Sequence, residues 1–160
     1  MKRVHIVGRK NHGKTTLILE LVAELTRRGL RVGTIKHTSH IHELDTPESD
    51  SHRHRQAGAA PAAIITGNLI AVYIPKRGGS DDYESLEPLF AGCDLVLAEG
   101  DCGGQGTKVE VWREAAGGHC LASEGWKVAA VLSDDRPEVH VPVWPRSDVA
   151  TVANRILSIV

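Results

Sequence analysis

The chain is poor in aromatic residues and carries almost no net charge. Its 160 residues include three tryptophans, two tyrosines and one phenylalanine, and 19 basic side chains are balanced by 20 acidic ones, for a formal charge of −1. Proteins that bind nucleic acid stack bases on aromatic rings and neutralise phosphates with clustered cations. The composition therefore disfavours a nucleic-acid-binding protein.

Long apolar runs and paired cysteines are also missing. No stretch approaches the ~18 apolar residues that a membrane span needs. Residues 1–4 lead directly into a predicted strand, so we expect neither a membrane partner nor a signal peptide. Three cysteines without a C-x-x-C pair suit a reducing compartment better than a disulfide framework. We expect a cytoplasmic protein with one domain over residues 1–160.

The most informative motif is G-x-x-x-x-G-K-[ST], which the stretch GRKNHGKTT matches at residues 8–16. Such a loop wraps backbone N–H groups around phosphate oxygens, and the helix that follows adds the positive end of its dipole. In this pattern Lys14 reaches the outer phosphates, the Thr15 hydroxyl binds Mg²⁺, and Gly13 lets the backbone approach closely. An apolar run before the motif predicts a strand, and apolar residues at three- and four-residue spacing after it predict a helix.

A magnesium site also needs a carboxylate opposite Thr15, and this partner normally follows a neighbouring buried strand. Glu99 ends the apolar run at 95–98, which places it where a strand leaves the core. Asp94, at the other end of that strand, would lie at the far edge of the sheet. Thr15 and Glu99 are therefore the predicted metal ligands, with a solvated strand end as the alternative for Glu99.

Strand and helix patterns alternate along the rest of the chain. Strands are predicted at 30–37, 94–100, 108–112, 126–132 and 139–144, with a hairpin at 62–75 around Gly67 and Asn68. A loop is predicted at 76–82, a short helix at 83–90, and a C-terminal helix capped by Ser147. This alternation predicts an α/β fold, with a mostly parallel twisted sheet and helices on both faces.

The segment at 36–59 is rich in histidine and in charged residues, and it follows directly on a predicted strand. Three interpretations are open. The H-x-H pairs at 40–42 and 52–54 could ligate a metal, Arg53 and Arg55 could clamp an anion, or the segment could be a solvated loop. Its expected position at the carboxyl edge of the sheet favours a role in ligand binding.

Several blocks of the sequence together resemble the MobB family, adaptor proteins of molybdopterin guanine dinucleotide biosynthesis. The blocks are GRKNHGKTTL at 8–17, KHTSH at 36–40, Asp45, DSHRHRQAGA at 50–59, DLVLAEG at 94–100 and KVEV at 108–111. The resemblance implies a P-loop NTPase fold, GTP with Mg²⁺, and a homodimer. It also implies a partnership with the guanylyltransferase (MobA-like) that attaches GMP to molybdopterin.

The resemblance extends to individual site residues. It implies that one set of residues holds GTP or lines the same cleft, which would include a molybdopterin site, and that Glu99 lies beside the metal. The residues of this set are Gly8, Asn11, His12, Gly13, Lys14, Thr15, Thr16, Lys36, His37, His40, Asp45, Asp50 and Arg55. His42, His52 and His54 fall outside the matched positions. Relatives usually carry an aromatic residue and a lysine after the Glu-Gly pair, whereas Asp101 and Cys102 stand here, so Lys108 is the candidate replacement cation.

Binding is predicted more firmly than hydrolysis. Fast hydrolysis needs a positioned water and an additional cation on the transferred phosphoryl group, and we recognise no switch segment after residues 94–100 and no glutamine placed to orient water. We therefore expect weak GTPase activity at most. Asp134, after a predicted strand, is the candidate for guanine recognition. The alternative functions are a metal-trafficking GTPase for nickel or zinc and, less favoured, a small-molecule kinase with Arg53 and Arg55 as its lid.

Overall fold

The computed structural model describes residues 1–76 and 82–160 of the chain. The chain divides into two compact units, Met1–Thr38 with Leu86–Val160, and Ser39–Ser85. The expectation of one domain over residues 1–160 stays a prediction. The predicted loop at 76–82 lies mostly outside the described residues.

Of the eight strands in residues 1–76 and 82–160, six form one parallel sheet in the first unit. The strands are β1 (Arg3–Val7), β2 (Val32–Lys36), β3 (Ala62–Ile65), β4 (Ile70–Tyr73), β5 (Leu95–Glu99), β6 (Thr107–Val111), β7 (Ala130–Leu132) and β8 (Val143–Trp144). The sheet order is β2-β5-β1-β6-β7-β8, and every neighbouring pair is parallel. The predicted α/β class with a mostly parallel sheet is therefore confirmed, and it is consistent with a P-loop NTPase fold.

Two helices, α1 (Lys14–Arg27) and α4 (Val149–Ser158), cover one face of this sheet. The buried core on that face joins the apolar stripes of both helices to strand residues such as Ile6 and Leu97. Burying these stripes, at roughly 25 cal/mol per Å² of apolar surface, is what stabilises two short helices that would be marginal alone. The start of α1 is thereby fixed at the end of β1.

The short helix α3 (Asp82–Phe90) reaches the opposite face. A Cβ atom on Gly33 would lie 2.5 Å from the Phe90 ring. Gly33 pairs with Val96, and the flanking residues of β5 belong to the first core. Because side chains alternate along a strand, Gly33 points to the second face. Helices therefore lie on both faces, as the sequence pattern predicted.

Three predicted boundaries are wrong. The strand expected at 126–132 begins only at Ala130, and the strand expected at 139–144 begins only at Val143. Directly before these strands, Ala129 and Pro142 still hydrogen-bond to neighbouring strands, but farther out the Trp126 side chain is 44% exposed. Ser147 does not cap the last helix. Asp148 caps α4 by accepting the Thr151 N–H at 3.0 Å, while the Ser147 hydroxyl donates to Asp134. The Asp148 carboxylate also interacts favourably with the positive end of the helix dipole.

The second unit holds the helix α2 (Asp50–Gln56) and the hairpin of β3 and β4. The two strands pair antiparallel, and the Thr66 N–H closes the turn on the Leu69 carbonyl at 2.9 Å. The predicted hairpin around Gly67 and Asn68 is confirmed. Over residues 1–76 and 82–160, no helix combines the length and the apolar character needed to cross a bilayer.

Candidate functional site

The loop between β1 and α1 has a backbone conformation suited to an anion. Asn11 (φ 68°) and Gly13 (φ 91°) are left-handed, and α1 begins directly afterwards at Lys14. The first turn of α1, which also contains the exposed Thr16, has no acidic residue, and the helix has no side-chain cap. Its leading N–H groups and its dipole are therefore left for a ligand of negative charge.

Gly8 lets the beginning of this loop lie directly on β6. Its φ is 135°, and a Cβ atom there would sit 2.4 Å from the Val111 carbonyl oxygen. Ordinary contacts of this kind begin near 3.4 Å, so a side chain would push the two backbones apart. Gly8 thus sets the distance between the loop and β6. Its expected contact with phosphate stays a prediction.

The register of the sheet brings Thr15, Glu99 and Lys36 together at its carboxyl edge. Glu99 pairs with Ile6 of β1 and with Lys36 of β2. Thr15 Oγ1 donates to Glu99 Oε1 at 2.8 Å, and the Lys36 ammonium group donates to the same oxygen. Glu99 is 8% exposed. The hydroxyl and the carboxylate that sequence analysis assigned to the metal are therefore neighbours, with a cation already beside them.

Lys14 adds a second ammonium group to this edge. Its Nζ donates to the Arg9 carbonyl at 2.7 Å. Burial lowers the pKa of Lys14, and the charge of Lys36 lowers it further, while Glu99 acts in the opposite direction. Two amines and one carboxylate leave positive charge at the mouth of the loop. Together with the uncapped helix, they fit a nucleotide phosphate chain with Mg²⁺.

His12 and Arg113 tie the loop to the segment after β6. His12 is 1% exposed, and its Nδ1 accepts the backbone N–H of Arg113 at 3.0 Å. Burial lowers the pKa of His12, which favours the neutral ring that can accept this bond. Arg113 Nη2 donates in turn to the Asn11 carbonyl at 2.5 Å. His12 therefore supports the loop from inside, and its expected contact with the nucleotide stays a prediction.

Sequence analysis missed Arg113. The arginine is separated from Asn11 by 102 residues, and no motif links the two positions. The available signal was indirect: the residue follows the KVEV block, which was quoted for the resemblance, by only two positions. Finding the contact required knowing that β6 is the neighbour of β1.

Three other residues with predicted roles, His37, Asp134 and Lys108, contact other parts of the chain through hydrogen bonds or strand pairing. The His37 N–H donates to the Glu99 carbonyl at 2.9 Å. Asp134 Oδ1 accepts from the N–H and the hydroxyl of Ser147, both at 2.9 Å, and the bond from that N–H lowers the pKa of Asp134. Lys108 pairs with His5 in the middle of β1. The suggested roles of Asp134 toward guanine and of Lys108 toward the pterin stay predictions.

In the second unit, Arg55 is held by two carboxylates. Its Nη1 lies 2.7 Å from Glu43 Oε1 and 3.7 Å from Asp45 Oδ2, and its guanidinium group lies 4.7 Å from the centre of the Tyr73 ring. Burial would raise the pKa of Asp45, but hydrogen bonds from neighbouring hydroxyl and N–H groups lower it. An incoming anion would have to compete with these carboxylates for Arg55.

The other candidates of this unit lie at its surface. His40 is exposed, and its ring centre lies 5.7 Å from that of His42. Asp50 is the first residue of α2 and lies 4.0 Å from Arg53. Among residues 1–76 and 82–160, no three His, Cys, Asp or Glu side chains converge as a metal site. The metal interpretation of the histidine-rich segment gains no support from the described residues.

Comparison with known proteins gives a consistent result. A family model described as molybdopterin guanine dinucleotide synthesis protein B matches residues 3–134. Molybdopterin-guanine dinucleotide biosynthesis adapter protein of Escherichia coli (strain K12) is 35% identical over 112 residues, which cover 66% of this chain and 62% of that protein. The Haemophilus influenzae protein of the same name is 34% identical over 96 residues, which cover 59% of this chain and 54% of that protein. The matched part of this chain thus spans about three fifths or less of these curated relatives.

A solved structure matches over almost the whole chain. The crystal structure of molybdopterin-guanine biosynthesis protein B (mobB) superposes with a TM-score of 0.76 at 26% identity, and the match covers 99% of both chains.

Proposed function

This chain belongs to the family of molybdopterin guanine dinucleotide synthesis protein B, and on that premise we propose that it is a GTP-binding adaptor. Its task would be to assist the guanylyltransferase that joins GMP to molybdopterin. The observation that supports this most directly is the meeting of Thr15, Glu99 and Lys36 beside the loop at residues 8–16.

Each group at this edge has a distinct task in the proposal. The backbone N–H groups at the start of α1 bind phosphate oxygens, and Lys14 leaves the Arg9 carbonyl to bind the outer phosphates. Thr15 and Glu99 are the residues that would hold Mg²⁺. The metal, when bound, neutralises charge on the phosphates. Lys36, which donates to Glu99 in this structure, would contact the phosphates if Glu99 held the metal.

Binding rather than rapid hydrolysis is the function that these contacts support. Sequence analysis identified no glutamine placed to orient an attacking water, so we propose weak GTPase activity at most. A partner enzyme would bind the nucleotide-loaded state, and molybdopterin or its guanine dinucleotide would be a further ligand. The residues of the second unit that the resemblance connects with this ligand are His40, Asp45, Asp50 and Arg55.

The test measures nucleotide binding and partner capture in the same set of variants. Calorimetry with GTP and Mg²⁺ should show binding to the wild type and at least a tenfold loss in Lys14→Ala, since a charged hydrogen-bond partner contributes roughly 1.5–3 kcal/mol. Lys127→Ala, which removes an exposed lysine elsewhere in the same unit, is the matched control. Capture of the guanylyltransferase should depend on GTP in the wild type and be lost in Lys14→Ala. Equal binding of ATP and GTP would remove the guanine preference from the proposal.

We also propose a homodimer in which the β3–β4 hairpin joins two copies. The side chains of Ile65, Leu69 and Ile70 are 77%, 68% and 69% exposed, and apolar side chains on a short two-stranded sheet need cover. Ile70→Glu should shift the wild-type dimer to monomer in sedimentation velocity, while Asn68→Asp on the same hairpin should not. A wild-type monomer at all concentrations would exclude this arrangement.

A further inference from the structure

Arg113 lies beside the phosphate loop on the side opposite Glu99. In the sheet β5 and β6 flank β1, so Glu99, which ends β5, and Arg113, which follows β6, stand on opposite sides of the loop that leaves β1. The Arg113 guanidinium carbon and Nε lie 3.8 Å from the position that a Cβ atom would take on Gly13. The guanidinium group is therefore in contact distance of the glycine that precedes α1.

Within residues 1–76 and 82–160, Arg113 differs from Arg9 and Arg31 in having no acidic side chain as its partner. The nearby Arg9 is paired with Glu124, and Arg31 at the other end of the sheet lies 3.5 Å from Asp94. In the described part of the chain Arg113 forms no such ion pair, and its guanidinium hydrogen bond is to the uncharged carbonyl of Asn11. A guanidinium group has five N–H donors in a fork that matches phosphate oxygens. Most of this donor capacity is unused.

The backbone of Arg113 is fixed while its side chain is exposed. Its N–H is bound by the buried His12, and the next N–H, that of Glu114, donates to Asp135 Oδ2 at 2.8 Å. The Arg113 side chain itself is exposed. Because only the side chain of Arg113 is exposed, rotation about its side-chain bonds is enough to move the guanidinium group. The group can then exchange its hydrogen bond to the Asn11 carbonyl for one to a phosphate oxygen in the neighbouring loop.

We infer that Arg113 is a nucleotide-binding residue whose guanidinium group leaves the Asn11 carbonyl and binds phosphate oxygens of the nucleotide held by the loop. This inference rests on the proposed function. It supplies a cation from β6 in addition to Lys14 and Lys36, so that positive charge flanks the phosphate chain on both sides. Nothing in the phosphate-loop motif itself assigns this task to the residue.

The test compares side chains with and without a positive charge at position 113. Arg113→Gln removes the charge and keeps a shorter side chain with an amide N–H donor, whereas Arg113→Lys keeps the charge. Calorimetry with Mg²⁺ and GTP should show about tenfold or greater weakening in Arg113→Gln and Arg113→Ala, and a smaller loss in Arg113→Lys. Arg31→Ala, at the far end of the sheet, should bind as the wild type does. Thermal unfolding of each variant verifies that it is folded.

Magnesium tripolyphosphate, which has no base or sugar, serves as a second probe. Arg113→Gln should lose a similar factor toward this probe as toward GTP, because the contact is with phosphate. Wild-type affinity in Arg113→Gln would show that the charge of Arg113 contributes nothing to phosphate binding and would overturn the inference, while leaving GTP binding intact. A loss with GTP but not with tripolyphosphate would assign Arg113 to the base or sugar and would also overturn it. Absence of nucleotide binding in the wild type would remove the proposed function together with the inference.

Discussion

Replacing Gly8 by alanine tests the claim that the phosphate loop is held at a fixed distance from β6. The new Cβ atom would lie 2.4 Å from the Val111 carbonyl oxygen, about 1 Å closer than an ordinary contact. Both partners are backbone, so no side chain can rotate away. Either the loop or the end of β6 must move, and β6 is bonded to neighbours on both sides.

The expected cost has two parts. An alanine at φ 135° costs roughly 1–2 kcal/mol through its unfavourable backbone conformation. Displacing a packed backbone adds roughly 1–3 kcal/mol. Gly29→Ala is the matched control, because Gly29 is also left-handed (φ 85°) but a Cβ atom there meets nothing within 4 Å. Gly29→Ala should therefore show only the conformational part.

Urea unfolding of the three proteins measures the difference. We expect Gly8→Ala to lose roughly 2–5 kcal/mol of unfolding free energy and Gly29→Ala roughly 1–2 kcal/mol. GTP affinity should also fall in Gly8→Ala, since the loop is displaced, and should stay unchanged in Gly29→Ala. Equal losses of stability in the two variants would show that the loop does not rest on β6, and the reasoning would be refuted.

Three further predictions follow from the charges and thiols of the first unit. Lys36→Met should weaken GTP binding in EDTA, because a cation is lost. It should also lower the Mg²⁺ concentration needed for half-maximal GTP binding, because an ammonium group no longer competes for Glu99. Titration with Mg²⁺ measures both effects, and an unchanged Mg²⁺ requirement would contradict the contact between Lys36 and Glu99. The pKa of His12 is lowered by burial, so the unfolded chain binds the proton more tightly; unfolding free energy should fall as pH drops below ~6.5, and His12→Asn should reduce that slope. Burial raises the pKa of Cys120 to about 11, so mass spectrometry at pH 7.5 should find iodoacetamide on Cys102 well before Cys120.

The parts of the site that lie within one element, or just after one, were predictable from sequence. The phosphate-loop motif was recognised because its glycines, lysine and threonine lie at fixed spacing within residues 8–16. Glu99 was found because the carboxyl ends of parallel strands share one edge, so a carboxylate after a buried strand must lie near the loop. Lys36 was assigned to the site through the resemblance, and in the structure its ammonium group donates to the Glu99 carboxylate.

Contacts that depend on strand order or on the surface could not be predicted in the same way. The apolar pattern at 126–132 predicted a seven-residue strand, but only Ala130 to Leu132 pair with β6. The pattern of apolar residues shows which side chains can be buried, but it does not show how far the neighbouring strand extends. Ser147 was chosen as a helix cap for its residue type, yet Asp134, which precedes it by 13 residues, binds it instead.

Strand order also explains why Lys36 of β2 and Arg113, which follows β6, both lie beside the loop at residues 8–16. The chain leaves β1 through α1 and returns in β2 on the β5 side, while β6 lies on the other side of β1. Such a reversal opens a crevice at the carboxyl ends of the strands, where ligands bind in α/β sheets. Because β5 and β6 both pair with β1, residues that end either strand must flank this crevice. Glu99 with Lys36 occupies one flank and Arg113 the other, so a nucleotide bound in the loop as we propose would have charged side chains on both of its sides.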